Sequence, residues 1–347
     1  RRRLTSPPAR PPRRGRVIHP IQNRSGGQPM LTGLFQIAKN TFRENLREPI
    51  YLLVLLTALV LIGILPAFTL FVFREQVKLV VDSAMAAMLS FGWIVAVLSA
   101  SHAITEEIET GTAILLLAKP INRVTFIVGK ILGILLGLGV FSLLTGTATL
   151  IAVRVAKDQF YFDQKAFTLY FVALGVSLGI GVLTNYLKRS SFAMASILSM
   201  VVLLPLAGVV IRFLPVDGKA IPYSWSILPA LILIAYAVWM MGTLATALST
   251  RLALIPNLLI CSVVFLVGLV SDFLLGTAAE HNIFAAAAYA LIPNWQLFWM
   301  ADALAADRSI PLSYVMWGGV YLLLFTGVLT VLAAWMFRHR EVGRQAV

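Results

Sequence analysis

The residues best suited to chemistry lie in a charged segment, 105–130, which separates two long apolar runs of the chain. Carboxylates at its start can meet basic residues on another protein, and the apolar ridge behind them can be buried in a groove. The acidic residues are Glu106, Glu107 and Glu109. The residues that follow them are Gly111, Thr112, Leu115, Leu116, Leu117, Pro120 and Arg123. A simple connector needs none of these groups, so the sequence predicts that residues 105–123 dock a partner protein.

Three residues of this segment have a distinct expected role. Gly111 permits a bend or a close approach of another backbone because it has no Cβ, and Pro120 ends a helix because it has no N–H. Arg123 can bind a helix-terminal carbonyl, an acid of the partner or a lipid phosphate. The alternative is a surface loop whose leucines lie among the lipid headgroups. The density of chemical features favours docking.

Signatures of catalysis are missing or stand in the wrong context. No G-x-x-x-x-G-K-[ST] sequence occurs, so no P-loop for ATP is expected. The sequence 175–179 fits G-x-S-x-G, but that nucleophile needs a strand-to-helix turn, whereas the match lies inside the apolar run 166–183. The four histidines are scattered, and Cys261 is the single cysteine. We predict no enzymatic activity, and no metal or cofactor bound by this chain.

The composition indicates the class of protein that positions these residues. Hydrophobic residues make up 59% of the 347 residues, charged residues make up 12%, and the mean hydropathy is +0.87. Apolar runs long enough to cross a hydrocarbon layer of about 30 Å recur along the chain. They predict an all-α, polytopic helical membrane protein with about eight spans, at 50–73, 83–103, 124–153, 166–187, 191–214, 226–248, 252–275 and 312–337.

Small residues recur at helical spacing in two of these predicted spans. In the third span, Gly129, Gly133 and Gly137 form a double G-x-x-x-G, and Gly175 and Gly179 repeat the spacing in the fourth. Such stripes let another helix approach closely. The pattern predicts helix packing, with a neighbour that is either in the same chain or on a second copy.

An amphipathic helix, 31–48, is predicted directly before the first span. Phe35 and Phe42 lie on its apolar side, and Lys39, Arg43 and Arg47 follow one another at i, i+4 spacing. Because basic residues in this arrangement reach lipid phosphates, we expect an interfacial helix that binds membrane lipids.

Residues 1–29 differ from the rest of the chain. They hold eight of the arginines and no acid, which leaves 20 basic and 15 acidic residues elsewhere. We expect either a disordered basic extension or a start-site artefact, with Met30 as the natural start and 30–347 as a single transmembrane domain. A basic arm for anionic lipid or nucleic acid is the alternative for 1–29; no nucleic-acid partner is expected for the protein.

The loops carry a charge bias that predicts orientation. With Met30 in the cytoplasm, twelve Lys and Arg residues of 30–347 lie inside and eight lie outside. The eight spans then place both termini and segment 105–123 in the cytoplasm, and make 276–310 the longest extracytoplasmic loop. The spans themselves are nearly free of charge, which argues against a proton- or sodium-driven carrier.

With that placement, segment 105–130 resembles the ABC-2 type permeases, the membrane subunits of a class of bacterial ABC transporters. The pattern of that family is E-x-E-x-G-T, a leucine-rich stretch, P-[VI]-x-R and then G-K, over about 25 residues. The residues that match it are Glu107, Glu109, Gly111, Thr112, Leu115, Leu116, Leu117, Pro120, Ile121, Arg123, Gly129 and Lys130. Among subgroups, the chain is similar to permeases of nitrous-oxide-reductase copper maturation and of gliding motility. It departs from the family in span count, since the family core has six spans.

The resemblance implies a function and a set of partners. It implies a permease subunit of the bacterial inner membrane, mainly for export, with 105–123 as a coupling helix on a cytoplasmic ATP-binding subunit. ATP and Mg²⁺ are then used by that subunit, and a second permease, identical or related, completes the assembly. The alternative from another class is a membrane scaffold or sensor that recruits a cytoplasmic partner through the same segment.

Overall fold

The computed structural model describes residues 30–68, 75–106, 123–156, 162–216, 219–279, 281–306 and 308–338. Within these ranges the chain is helical except for short connections and one pair of two-residue strands. Eight helices are long and apolar enough to cross a membrane. The prediction of an all-α, multi-pass membrane protein with eight spans is confirmed.

The helices follow one another with short connections. Helix α1 (Met30–Arg47) precedes the first span. The next helices are α2 (Pro49–Phe68), α3 (Gln76–Ser101), α4 (Arg123–Val155), α5 (Gln164–Lys188) and α6 (Phe192–Phe213). A π-helical turn, His102–Glu106, continues α3. Strand β1 (Pro215–Val216) pairs antiparallel with β2 (Lys219–Ala220).

The second half of the chain contains the remaining elements. A 3₁₀ turn (Trp225–Ile227) leads into α7 (Leu228–Ser249), which is followed by α8 (Leu254–Ala279). The segment predicted as loop 276–310 contains the last turn of α8, then α9 (Ile283–Leu291), a 3₁₀ turn (Trp295–Phe298) and α10 (Ala301–Ala305). Helix α11 (Leu312–Arg338) is the last span.

The second span begins earlier than predicted. Helix α3 starts at Gln76, whereas the hydropathy pattern placed the start at 83. Lys78 and Asp82 interrupt the apolar run, but they lie in the first two turns of the helix, at one end of the bundle, where charges are tolerated. The apolar pattern therefore marked the hydrocarbon-crossing part rather than the whole helix.

Helices α3 and α7 form the centre of the bundle. In each of these two spans, 61% of the apolar stretch is buried inside the protein, against 22% for α8 and 28% for α11. The buried positions of the central pair include many alanines, which allow close packing between helices. Helix α4 packs on both central helices and on α1. Its 33 residues span about 50 Å, more than the hydrocarbon thickness of about 30 Å.

Successive spans run in opposite directions, so the bundle has two ends. The α1 end holds α1, the starts of α2, α4 and α8, and the last residues of α3, α7 and α11. Contacts such as the stacking of Phe126 on Phe337, with ring centroids 5.6 Å apart, bring these termini together. The opposite end holds the start of α3, the end of α4 and the connections after α6 and α8.

Candidate functional site

The structure places both flanks of the predicted docking element. Glu106 ends the π-helical turn that continues α3, and Arg123 begins α4 with an exposed side chain. Both flanks therefore lie at the α1 end. The residues between them, 107–122, lie outside the described part of the chain, so Glu107, Glu109, Gly111, Thr112, Leu115, Leu116, Leu117 and Pro120 stay predictions.

The glycine stripe of α4 receives α1. A Cβ added to Gly129 would lie 2.7 Å from Cγ2 of Ile37, and one added to Gly133 would lie 2.6 Å from the carbonyl oxygen of Ala38. At Gly137 the nearest atom would be Nδ2 of Asn45, at 3.3 Å. Larger residues at Gly129 and Gly133 would push α1 away from α4, so the glycine stripe permits this close packing. The partner of the stripe lies in the same chain.

An ion pair joins the same two helices. Nζ of Lys130, on α4, lies 3.3 Å from Oε2 of Glu44, on α1. The Lys130 side chain is 3% exposed and also lies over the ring of Phe126, 5.8 Å from its centroid. Glu44 is 47% exposed, so solvent screens part of this attraction.

Helix α1 buries one face against α4. Ala38, Thr41 and Asn45 face α4, because its glycines accept small or polar side chains. Phe35, predicted on the apolar side, is 68% exposed, and its contact with lipid stays a prediction. The remaining predicted interfacial residues are exposed, as with Lys39, Arg43 and Arg47, or half-buried, as with Phe42.

The end of α3 is tied to the junction between α1 and α2. Nε2 of His102 lies 2.6 Å from Oε1 of Glu48, and each side chain is about a third exposed. His102 stands one residue after the α-helical part of α3, in the π-helical turn that leads to the predicted docking element. The contact therefore links that turn to α1.

A buried asparagine joins three spans at the same end. Nδ2 of Asn257, on α8, lies 2.8 Å from Oγ of Ser101 on α3 and 2.8 Å from Oγ of Ser249 on α7. Its Oδ1 accepts from Sγ of Cys261 at 3.4 Å. Because buried polar groups keep their partners, this cluster fixes the relative positions of the three helices.

The opposite end is held by a buried ion pair. Nη1 of Arg154, on α4, lies 2.6 Å from Oδ2 of Asp163, and Nη2 of Arg154 donates to the Leu214 carbonyl oxygen at 2.9 Å. Oδ1 of Asp163 accepts from the Ala166 N–H at 3.0 Å and so caps α5. The pair joins the end of α4 to the start of α5 and the end of α6.

A tyrosine near this pair is held in its neutral form. Burial raises the pKa of Tyr223 to about 12, and the positive charge of Arg154 lowers it only in part. The hydroxyl therefore stays protonated near neutral pH and donates to the Gly208 carbonyl oxygen at 2.7 Å. This bond fastens the segment after β2 to α6.

The second predicted glycine pair makes no close contact within the chain. A Cβ added to Gly175 or Gly179 would meet no atom within 4 Å among the described residues, and both glycines are exposed on α5. Helix α5 instead packs on α6 through Gly181, whose added Cβ would clash with Oγ of Ser196. The G-x-S-x-G match lies within helix α5, which confirms that it is not a strand-to-helix nucleophile turn.

Several of these residues were not predicted from the sequence. Nothing in the pattern signalled the burial of Asn45 or Asn257. The basic residue Arg154 and the acid Asp163 lie near the two ends of the predicted loop 154–165, which was the available sign that they could pair. Among the described residues, no group of three or more His, Cys, Asp or Glu side chains could hold a metal ion.

Comparison of the chain with models of known protein families and with curated proteins found no match. The fold defines the chain as a polytopic helical membrane protein.

Proposed function

We propose that this chain is the permease subunit of an ABC transporter, driven by a separate ATP-binding subunit that docks on residues 105–123. The observation that carries the proposal is the position of the flanks of this segment. The described flanks are the continuation of α3 and the start of α4, two helices that pack on each other and on α7. A force applied there acts directly on the centre of the bundle.

The contacts at the α1 end suggest which parts move together. Helix α1 is joined to α4 by the Gly129–Gly137 stripe and the pair Lys130–Glu44, and to the end of α3 by His102 and Glu48. A push on 105–123 would therefore displace α1 together with the adjoining ends of α3 and α4. At the opposite end the buried pair Arg154–Asp163 holds α4 to α5 and α6, where it would act as the pivot.

The chain supplies the moving membrane part, and the energy comes from the partner. ATP and Mg²⁺ bind to the cytoplasmic subunit, which closes on its nucleotide and pushes on the docking element. Two permeases, identical or related, pair with two such subunits in the bacterial inner membrane, with both termini in the cytoplasm. The expected direction is export.

The experiment is ATPase stimulation in reconstituted membranes. The chain is purified from its native membranes together with any bound P-loop ATPase, and the complex is placed in lipid vesicles. We expect Leu116→Asp to lower both assembly and stimulation by about tenfold or more, because a carboxylate would be buried in an apolar groove. The matched control is Ser226→Asp, on an exposed residue of the opposite end, which we expect to behave as the wild type.

Two outcomes would contradict the proposal. Unchanged assembly and stimulation in Leu116→Asp would exclude docking at this segment. An ATPase that binds through 105–123 but hydrolyses ATP at the same rate with and without the permease would instead favour a scaffold that recruits a partner.

A further inference from the structure

A pocket of about 210 Å³ opens at the α1 end, between the starts of α2 and α8 and the last turns of α3. Ile50, Leu98 and Leu254 form much of its apolar wall. Ile50 and Leu254 are themselves exposed on membrane-crossing helices, so the mouth of the pocket faces the lipid. One water needs about 10–15 Å³ of such space, so the pocket has room for a much larger group.

A carboxylate stands at the polar side of this pocket. Oε1 of Glu48 is engaged by Nε2 of His102 at 2.6 Å, and both residues line the pocket. A carboxylate has two oxygens that accept hydrogen bonds, and this contact uses one of them. The side chain is 31% exposed, so the group is accessible from the pocket.

A buried amide lies on the same side. Asn45 lines the pocket and is 1% exposed, yet neither its Oδ1 nor its Nδ2 has a hydrogen-bond partner among the described residues. Both amide atoms are closed off by the packing of α1 on α4 at Gly137, so Asn45 forms part of the wall of the pocket and offers its occupant no hydrogen bond.

We propose that this pocket binds a phospholipid with a primary-ammonium headgroup, of the ethanolamine type, from the leaflet at the α1 end. The ammonium group has three N–H donors, and one of them can donate to the second oxygen of the Glu48 carboxylate. The upper part of an acyl chain lies along the wall formed by Ile50, Leu98 and Leu254.

The same chemistry separates this lipid from its common relatives. A choline headgroup carries the positive charge but has no N–H to donate, and a glycerol headgroup has hydroxyls but no cation. An ethanolamine headgroup alone among the three gives Glu48 a charge-assisted hydrogen bond, which is stronger than a neutral one. The site rests on membrane insertion of the bundle and does not depend on coupling to an ATPase.

The test is native mass spectrometry of the full chain, purified in detergent and offered phosphatidylethanolamine, phosphatidylcholine and phosphatidylglycerol in equal amounts. We expect the wild type to retain phosphatidylethanolamine about tenfold more than the other two, since one charge-assisted hydrogen bond is of that order. Glu48→Gln should reduce this preference to near unity, because an amide has no charge to offer.

Two further variants keep the test decisive. Ile50→Trp fills the mouth of the pocket without altering Glu48 or His102, and should lower retention of all lipids at this site. Glu44→Gln removes a carboxylate of the same helix that pairs with Lys130 and does not line the pocket, and should retain lipid as the wild type does. Thermal unfolding of each variant checks that it is folded.

The proposal is overturned if the wild type retains the three lipids equally, or if Glu48→Gln and Ile50→Trp bind phosphatidylethanolamine as the wild type does. A loss in Glu44→Gln equal to that in Glu48→Gln would also overturn it, because the preference would then reflect overall charge. Since no nucleotide is present, these results are independent of the proposed ATP-driven function.

Discussion

Helix α4 carries one ion pair near each of its ends, and the two pairs hold their neighbours with different strength. At the α1 end, Lys130 and Glu44 are 3.3 Å apart, and Glu44 is 47% exposed. At the opposite end, Arg154 and Asp163 are 2.6 Å apart, and their side chains are 0% and 6% exposed. Water and salt weaken the first pair far more than the second.

The two ends therefore differ in how firmly they hold the helices next to α4. The opposite end is fixed, because Arg154 also donates to Leu214 and Asp163 also caps α5. At the α1 end, the Asn257 cluster fixes α3, α7 and α8, but α1 is held on α4 by glycine packing and by a partly solvated pair. A docking partner can displace this solvated pair more easily than the buried pair Arg154–Asp163. The proposed docking element and the proposed lipid site both lie at the α1 end, next to this more easily displaced helix.

Breaking the buried pair should have the largest effect on stability. Arg154→Met leaves the carboxylate of Asp163 buried without its cation, and we expect a loss of about 3–5 kcal/mol. Unfolding of the detergent-solubilised protein measures this. The double variant Arg154→Met with Asp163→Asn should lose less than Arg154→Met alone, because no charge is then stranded and asparagine still caps α5. A loss under about 1 kcal/mol for Arg154→Met would show that this end is not fixed.

Adding one methyl group to the glycine stripe should have an intermediate effect. The Cβ of Gly133→Ala would lie 2.6 Å from both the Ala38 carbonyl oxygen and Cβ of Thr41, so α1 must shift, at a cost of about 1–3 kcal/mol. Gly179→Ala is the matched control, because its Cβ meets nothing within 4 Å among the described residues. That variant should be neutral or gain up to about 1 kcal/mol, since alanine favours helix. Equal losses in the two variants would remove the distinction between the stripes.

Removing the acid of the α1-end pair should have the smallest effect. Glu44→Gln is expected to cost about 1 kcal/mol or less, because the amide oxygen of glutamine can still accept from the nearly buried Lys130 and solvent already screens the half-exposed Glu44. The same unfolding measurement checks this, with high salt reducing the difference further. A loss as large as that of Arg154→Met would mean that the two ends are equally locked.

The span pattern could be predicted because it depends on local composition. Eight apolar runs of sufficient length identify eight spans, whatever their neighbours are. The start of α3 was misplaced because Lys78 and Asp82 lower the hydropathy, although the helix continues through them. Hydropathy reports burial in hydrocarbon, whereas helix limits depend on backbone hydrogen bonds.

The contacts of the site could be predicted only in part, because they depend on tertiary packing. Gly129 and Gly179 belong to stripes with the same spacing, yet one faces α1 and the other makes no close contact in the chain. The sequence placed Arg154 near a span end but could not show that α4, α5 and α6 converge around it. The pocket beside Asn45 and Glu48 likewise requires four helices, α1, α2, α3 and α8, to be in place.

The central claim is that an ATP-binding subunit docks on residues 105–123, and cross-linking from both ends of the bundle tests it most directly. A photoactivatable residue is placed at Leu116 in one sample and at the exposed Ser226 of the opposite end in another. Both are irradiated in native membranes, and the cross-linked proteins are identified by mass spectrometry. A P-loop ATPase captured from position 116 and not from position 226 is the predicted result. No ATPase at 116, or equal capture from both positions, would contradict the claim.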